Sequence, residues 1–205
     1  MDELKEATAW FEELYSQSQQ DEKKIPWAEM QANSFLDEYL KNNLPRGRAL
    51  VVGCGLGDDA IALNLAGCES VTAIDISPSA IAWCEERFDG FGVDFKVANL
   101  FDLPEELLAS FDFVFEAFTI QSLPVTLRDT VITAIASMVK PGGQLLVIAN
   151  GKNDEESYPG PPWPLDRNHV RLFENKDMKE LEFSIFASPK ALSRMRFRAL
   201  YQKNV

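Results

Sequence analysis

The sequence predicts an α/β fold of seven strands, mostly parallel with an antiparallel last strand, helices on both faces and a helical cover at the N-terminus. Three observations carry this. From Pro45 onward, short apolar runs alternate with segments of helical spacing. The first of those runs ends in a glycine-rich turn, and the last two strand-like runs are separated only by Ser188–Arg194. Apolar strands that alternate with helices form βαβ units whose parallel sheet is covered on both faces. Two strands so closely joined pair antiparallel, because a parallel return needs a long crossover.

The elements follow in order. Leu4, Ala7, Trp10, Phe11 and Leu14 recur at helical spacing, as do Met30, Leu36, Tyr39 and Leu40, with the polar break SQSQQDEKKIPW between the two sets. Ala49–Gly53 is a continuous apolar strand, and a helix begins near Asp58 after the glycine turn. Val71–Asp75 is a second strand that leads into Ser77-Pro78, an N-cap and first helical residue. The helix that follows places Ile81, Cys84 and Phe88 on one face. Val93–Ala98 and Phe111–Glu116 read as the third and fourth strands. A helix over 126–140 turns Leu127, Val131, Ile135 and Met138 inward and is expected to stop at Pro141-Gly142-Gly143. Leu145–Ala149 is the fifth strand. The proline-rich stretch Asn150–Leu165 is too long for a passive connection. A short helix around Asn168–Asn175 then precedes the final pair, Leu181–Ala187 and Met195–Gln202. The whole chain, 1–205, reads as a single domain: 1–45 a cover or lid, 46–149 a core, 150–205 a substrate loop and hairpin.

Composition sets the boundaries. With 46% hydrophobic and 25% charged residues, the 205-residue chain matches ordinary globular proteins. Its 20 Lys and Arg against 32 Asp and Glu leave a net charge of −12, which argues against nucleic acid and anionic membrane surfaces as partners. No run approaches the roughly 18 apolar residues of a membrane span, and MDELKEATAW lacks the features of a signal peptide. Cys54, Cys68 and Cys84 are odd in number and not spaced as zinc ligands, so no metal is expected. They read as packing residues in a reduced, cytoplasmic setting. The expected partner is a small-molecule substrate, bound by a monomer or homodimer.

The sharpest feature is Val51-Val52-Gly53-Cys54-Gly55-Leu56-Gly57-Asp58-Asp59, directly after the first strand. Glycine permits positive φ and a close backbone approach, and the next helix N-terminus offers free N–H groups. Asp75, closing the second strand, sits where an acid can accept both hydroxyls of a ribose. A dinucleotide fingerprint is G-x-G-x-x-G, whereas here the third glycine comes one residue early and Asp58 takes its place. That acid opposes a pyrophosphate but not a cationic sulfonium, which favours S-adenosylmethionine over a nicotinamide dinucleotide.

Residues 46–149 resemble the class I S-adenosylmethionine-dependent methyltransferases through VVGCGLGDD, AIDIS, ANLFDL, FDFVFEAF and KPGGQLLVI. The resemblance implies a Rossmann-like fold and S-adenosylmethionine as cofactor. The implied contacts are Gly53, Gly55 and Gly57 under the methionine portion, Asp75 and Ile76 at the ribose, and Asn99 and Leu100 at the adenine. Asn99 departs from the Asp often found there. A narrower resemblance, to the thiopurine, thiol and halide methyltransferase branch, rests on Pro26-Trp27, GCGLGDD, Asp75-Ile76-Ser77 and Gly160-Pro161-Pro162-Trp163. It implies a thiol, or another soft sulfur, selenium or halide nucleophile, as methyl acceptor.

Such a nucleophile needs alignment more than a base, and no strong general base stands out in the sequence. Glu116, ending the fourth strand, is the one catalytic candidate and also a candidate contact for the cofactor amine; a structural cap is its competing reading. Trp27 is read as a lid over the cofactor, and Phe118, Gln121, Tyr158 and Trp163 as the substrate pocket. His169, the only histidine, reads as a solvated or capping residue, and Arg194, Arg196 and Arg198 as a solvated or salt-bridged strand face. The alternatives are a small-molecule O- or N-methyltransferase with a positioned base, a nicotinamide-dependent oxidoreductase, and a cofactor-binding protein without turnover.

Overall fold

Residues 2–153, 156–188 and 191–205 are described by a computed structural model, with side chains for 7–153, 156–187 and 195–205. By its internal contacts the chain divides into two units, Met1–Pro104 and Glu105–Val205.

The first unit holds α1 (Asp2–Ser18), α2 (Ser34–Leu40), β1 (Arg48–Val52), α3 (Asp58–Leu65), β2 (Ser70–Asp75), α4 (Pro78–Arg87) and β3 (Asp94–Val97). β2 lies between β1 and β3 and is parallel to both, with Val52 opposite Ile74 and Asp75 opposite Val97. All of β1 after Arg48 is buried, as is all of β2 after Ser70, as expected of strands covered on both faces. Ser77 caps α4 by accepting from Ala80 N at 3.0 Å, and Pro78 follows at the first helical position. α2 is shorter than the periodicity suggests. Met30 lies outside it, at φ +51, because Asn33 starts the helix by accepting from Phe35 N at 3.0 Å. The N-terminal segment packs as a cover would: Tyr15 and Ile25 share one buried cluster with Leu56, Ala80 and Trp83.

The second unit holds β4 (Phe111–Ala117), α5 (Arg128–Met138), β5 (Val139–Gly151), α6 (Arg167–Arg171), β6 (Met178–Ser188) and β7 (Ala191–Lys203). β4 and β5 are parallel, and β7 runs antiparallel between β5 and β6. The seven strands thus follow the order β3-β2-β1 in the first unit and β4-β5-β7-β6 in the second, the Rossmann-like class expected. One boundary is corrected. Pro141-Gly142-Gly143 does not stop the helix, which has already ended at Met138, but lies inside β5. Val139 pairs with Phe111 and Gln144 with Phe113, so Lys140–Gly143 is accommodated as a bulge opposite Asp112. Gly142 supplies a φ of +76 there, and Pro141 has no N–H to lose from the ladder. Among the described residues, no helix is long and apolar enough to cross a membrane.

Candidate functional site

Parallel strands deliver their C-terminal ends to one edge, and in the first unit that edge collects most of the residues singled out from the sequence. The β1 ladder extends into the turn through Cys54 N to Ile74 O at 2.9 Å, and β2 reaches past β3 through Ala98 N to Asp75 O at 2.9 Å. Gly53, Gly55 and Gly57 have φ of +61, +53 and +88, a region costly for any side chain. A Cβ on Gly57 would fall within 3.0 Å of Phe95 and 3.1 Å of the Cys84 sulfur, and one on Gly55 within 3.1 Å of the Tyr15 hydroxyl. The glycines are therefore required twice, by dihedral and by space.

Asp75 is buried, and its carboxylate stitches the edge together. Oδ2 accepts from Gly55 N at 2.9 Å and Oδ1 from Ser77 N at 3.0 Å. Burial pushes its carboxyl up, while the N–H groups of Ser77, Gly55 and Ile76 oppose that. Ile76, Asn99 and Leu100 are half-buried along the same edge. Asn99 uses its Oδ1 to accept from Phe101 N at 3.0 Å.

Two partners of this edge escaped sequence reasoning. Tyr15 Oη accepts from Trp27 Nε1 at 2.9 Å, directly over Gly55. Glu12 binds the start of α4, accepting from Ser77 Oγ at 2.6 Å, Ser79 Oγ at 2.6 Å and Ser79 N at 3.1 Å. Glu12 and Tyr15 are a turn apart on α1, so one helix face grips the α4 terminus and covers the glycine turn. Trp27, 40% exposed, also meets Trp10 and Phe11 edge-on, at ring separations of 5.7 and 6.2 Å.

Asp58 is not the free acid that the sequence suggests. Its carboxylate is held by Arg87 in a bidentate pair of 2.8 and 2.9 Å, and Arg87 also donates to Leu56 O. Asp58 therefore stabilises the turn and brings no free negative charge to a ligand. Cys54, Cys68 and Cys84 are buried and free of disulfides, and Cys84 donates to Gly55 O at 3.1 Å. Hydrogen bonding to Cys84, and then burial, push the Cys54 thiol up, consistent with packing rather than nucleophilic roles.

In the second unit, the C-terminal ends of β4 and β5 gather Glu116, Phe118, Gln121 and Trp163. Glu116 is fully buried; its Oε1 accepts from Thr119 N at 2.7 Å and Ile120 N at 3.1 Å. Its Oε2 has no hydrogen-bond partner among the described residues. Burial pushes this carboxyl up to about 7 against the pull of those two N–H groups. Phe118 stands at φ +67 beneath the guanidinium of Arg196, 4.6 Å from its ring centre. Arg196 also donates to Asn150 Oδ1, and Arg198 pairs with Glu182 at 3.0 Å, so that strand face is paired. Arg194 lies outside the described side chains. The Gln121 side chain supports structure instead of facing a pocket: Oε1 accepts from Asn150 N at 2.6 Å, while its backbone O accepts from Trp163 N at 2.7 Å. Gly160 lies against the Trp163 indole so closely that a Cβ would collide with it. Tyr158 is half-buried in the same loop. His169 is a capping-turn residue, with its N–H donating to Asp166 Oδ1 at 2.9 Å and Nδ1 lying 2.6 Å from that oxygen.

Comparison with known proteins matches the family model described as thiopurine S-methyltransferase to residues 12–195. The chain is 29% identical over 152 residues to thiocyanate methyltransferase 1 of Arabidopsis thaliana, covering 71% of this chain and 64% of that protein. It is 34% identical over 122 residues to a ubiquinone biosynthesis O-methyltransferase of Pseudomonas syringae pv. tomato, covering 58% and 50%. The chain thus spans about half to two thirds of the length of these relatives. In fold it resembles the N-methyltransferase NodS of Bradyrhizobium japonicum WM9, solved with S-adenosyl-L-homocysteine, at TM-score 0.73 and 18% identity, covering 96% and 98%. Magnesium protoporphyrin IX methyltransferase of Synechocystis PCC 6803 is alike at TM-score 0.73 and 15% identity, covering 96% and 99%.

Proposed function

Because the chain belongs to the thiopurine S-methyltransferase family, we propose that it transfers a methyl group from S-adenosylmethionine to a small molecule, with a thiol or other soft nucleophile as the leading acceptor. The observation that carries this is the covered glycine turn: three glycines at positive φ, Asp75 locked to Gly55, and Tyr15–Trp27 laid over the turn. The donor set fits the cofactor. Asp75 offers carboxylate oxygens to a ribose, the Asn99 amide is assigned to the adenine position, and the glycines, without side chains of their own, let the methionine portion approach the turn backbone. S-adenosylmethionine supplies an electrophilic methyl carbon on a sulfonium.

This chain's residues bind, orient and exclude water. Trp10, Phe11 and Trp27 form an aromatic cluster beside the turn, which would help exclude water from the cofactor. Alignment of acceptor and methyl carries about 7–11 kcal/mol, enough that a soft nucleophile needs little more. Phe118 and Trp163 serve as walls of the acceptor pocket. Glu116 Oε2 accepts a proton or hydrogen bond from an acceptor that must ionise.

A second reading, an O- or N-methyltransferase, is favoured by one observation. Glu116 is a buried carboxylate with a free oxygen at the strand end, the equipment a less acidic acceptor needs.

Thermal unfolding with S-adenosylhomocysteine and, separately, with NAD tests the cofactor. At 100 times its dissociation constant the true ligand stabilises by about 2.7 kcal/mol. A response to NAD alone overturns the reading. Headspace detection of methylated thiols and halides then tests the acceptor class. No product across that panel, with turnover of a phenol or amine, gives the second reading instead.

A further inference from the structure

Within the first unit, Ser77 stands between two carboxylates. Its N–H donates to Asp75 Oδ1 at 3.0 Å, and its hydroxyl donates to Glu12 Oε2 at 2.6 Å. The hydroxyl oxygen also accepts from Ala80 N at 3.0 Å. Its proton and a lone pair are both committed, so the side chain keeps one orientation. Ser79 adds two more donors to Glu12, its hydroxyl at 2.6 Å and its N–H at 3.1 Å. All three bonds to Glu12 therefore come from the cap and first turn of α4, the residues that directly follow the end of β2. Glu12 itself belongs to α1, 65 positions earlier in the chain.

Hydrogen bonds to a carboxylate at these lengths are the strong ones, and a negative charge at a helix N-terminus also meets the positive end of its dipole. Glu12 thus pins Ser77 by its side chain, and a pinned Ser77 keeps its N–H aimed at Asp75 Oδ1. The other oxygen of Asp75 is held by Gly55 N at 2.9 Å. The acid is oriented from two sides, by the glycine turn and by a residue that α1 holds. A plain tether for α1 could grip α4 anywhere along its length. This one sits where its charge adds to the burial that pushes the Asp75 carboxyl up, a cost that tethering does not account for. We propose that Glu12 is a positioning residue for the cofactor: through Ser77 it orients the Asp75 carboxylate toward a ribose, and so couples the seating of α1 to cofactor binding. The proposal rests on the cofactor reading above, because it needs a ribose at Asp75. The coupling is reciprocal, so bound cofactor tightens the seat of α1 by the same factor.

Two measurements on the full chain test this. Hydrogen exchange without ligand reads the positioning itself. In Glu12→Ala the amides of Ser77 and Gly55 are expected to lose protection by about tenfold, while amides within β2 keep theirs. Calorimetry with S-adenosylhomocysteine reads the consequence. Glu12→Ala is expected to weaken binding by about fivefold in the wild-type background and by less than about twofold in the Asp75→Ala background, because the two residues act in series. An equal loss in both backgrounds means that Glu12 only seats the cover, and overturns the proposal. Unchanged protection of Ser77 and Gly55 overturns it as well. Failure of the cofactor reading has its own signature: the wild type does not bind S-adenosylhomocysteine at all, which removes both. Should Glu12→Ala fail to fold, Glu12→Gln, which keeps the side-chain length but loses the charge, is put through the same measurements. Its expected losses are about threefold, again absent from binding when Asp75 is alanine.

Discussion

The indole N–H of Trp27 donates to the Tyr15 hydroxyl at 2.9 Å, and that hydroxyl stands 3.1 Å from where a Cβ on Gly55 would project. The cover and the glycine turn are therefore one packed object. Gly55→Ala must either push Tyr15 away or strain a residue at φ +53. We expect a loss of about 1–3 kcal/mol in stability, from the left-handed backbone and the collision together. S-adenosylhomocysteine affinity should fall at least tenfold. Calorimetry and urea unfolding check both; an alanine variant with wild-type affinity contradicts the close approach.

Asp75 joins Gly55 to Ser77 through separate oxygens. Asp75→Asn keeps one acceptor and should weaken cofactor binding moderately; Asp75→Ala removes both and should weaken it by tenfold or more. Binding that is unchanged in the alanine variant refutes the ribose role.

Two acids, the fully buried Glu116 and the half-buried Asp59, set a pH dependence. Glu116 and Asp59 are each pushed up to about 7 by burial, above their ordinary values of 4.5 and 3.8. The folded protein thus holds these protons more tightly than the unfolded chain. The resulting stability is present below about pH 4 and is lost as pH rises to about 7. For Glu116 it amounts to roughly 3 kcal/mol at most. Urea unfolding at pH 5 and pH 8 should therefore show a drop in the wild type that shrinks in Glu116→Gln and in Asp59→Asn. Asparagine at 59 still accepts from Asn33 N, which bonds Asp59 Oδ1 at 2.7 Å. An undiminished drop in both variants removes these groups as its cause.

Gly160 leaves no room for a side chain beside the Trp163 indole. Gly160→Ala should displace that ring and raise KM for the acceptor several-fold, with cofactor affinity unchanged. A rise in the cofactor dissociation constant instead assigns Trp163 to the cofactor. Initial rates at saturating cofactor separate the two.

Arg87 and Asp58 form a partly buried pair that also secures Leu56 O. Arg87→Ala leaves Asp58 uncompensated and should cost about 1–3 kcal/mol, less than a fully buried pair because both groups keep some solvent. An unfolding midpoint in urea that does not move would show the pair to be energetically neutral.

The order of strands and helices, the glycine turn, the acid closing β2 and the Ser77 cap were all legible in the sequence, because each is written in neighbouring residues. Strand and helix periods differ over a few positions, a φ above zero calls for glycine where it occurs, and a cap bonds three residues ahead. What the tertiary structure alone decided depends on residues far apart in the chain. Asp58 looked like a free acid until Arg87, 29 positions away, paired with it. Gln121 looked like a pocket residue until Asn150, also 29 positions away, took its oxygen. Pro141-Gly142-Gly143 reads locally as a helix stop, yet pairing with β4 draws it into a bulged strand. The grip of Glu12 on Ser77, across 65 residues, and the burial of Arg128 under Trp163, across 35, left no mark on local pattern. Such contacts are set, within each unit, by which distant segments its strands and helices bring together, and by the desolvation imposed on the charges placed there.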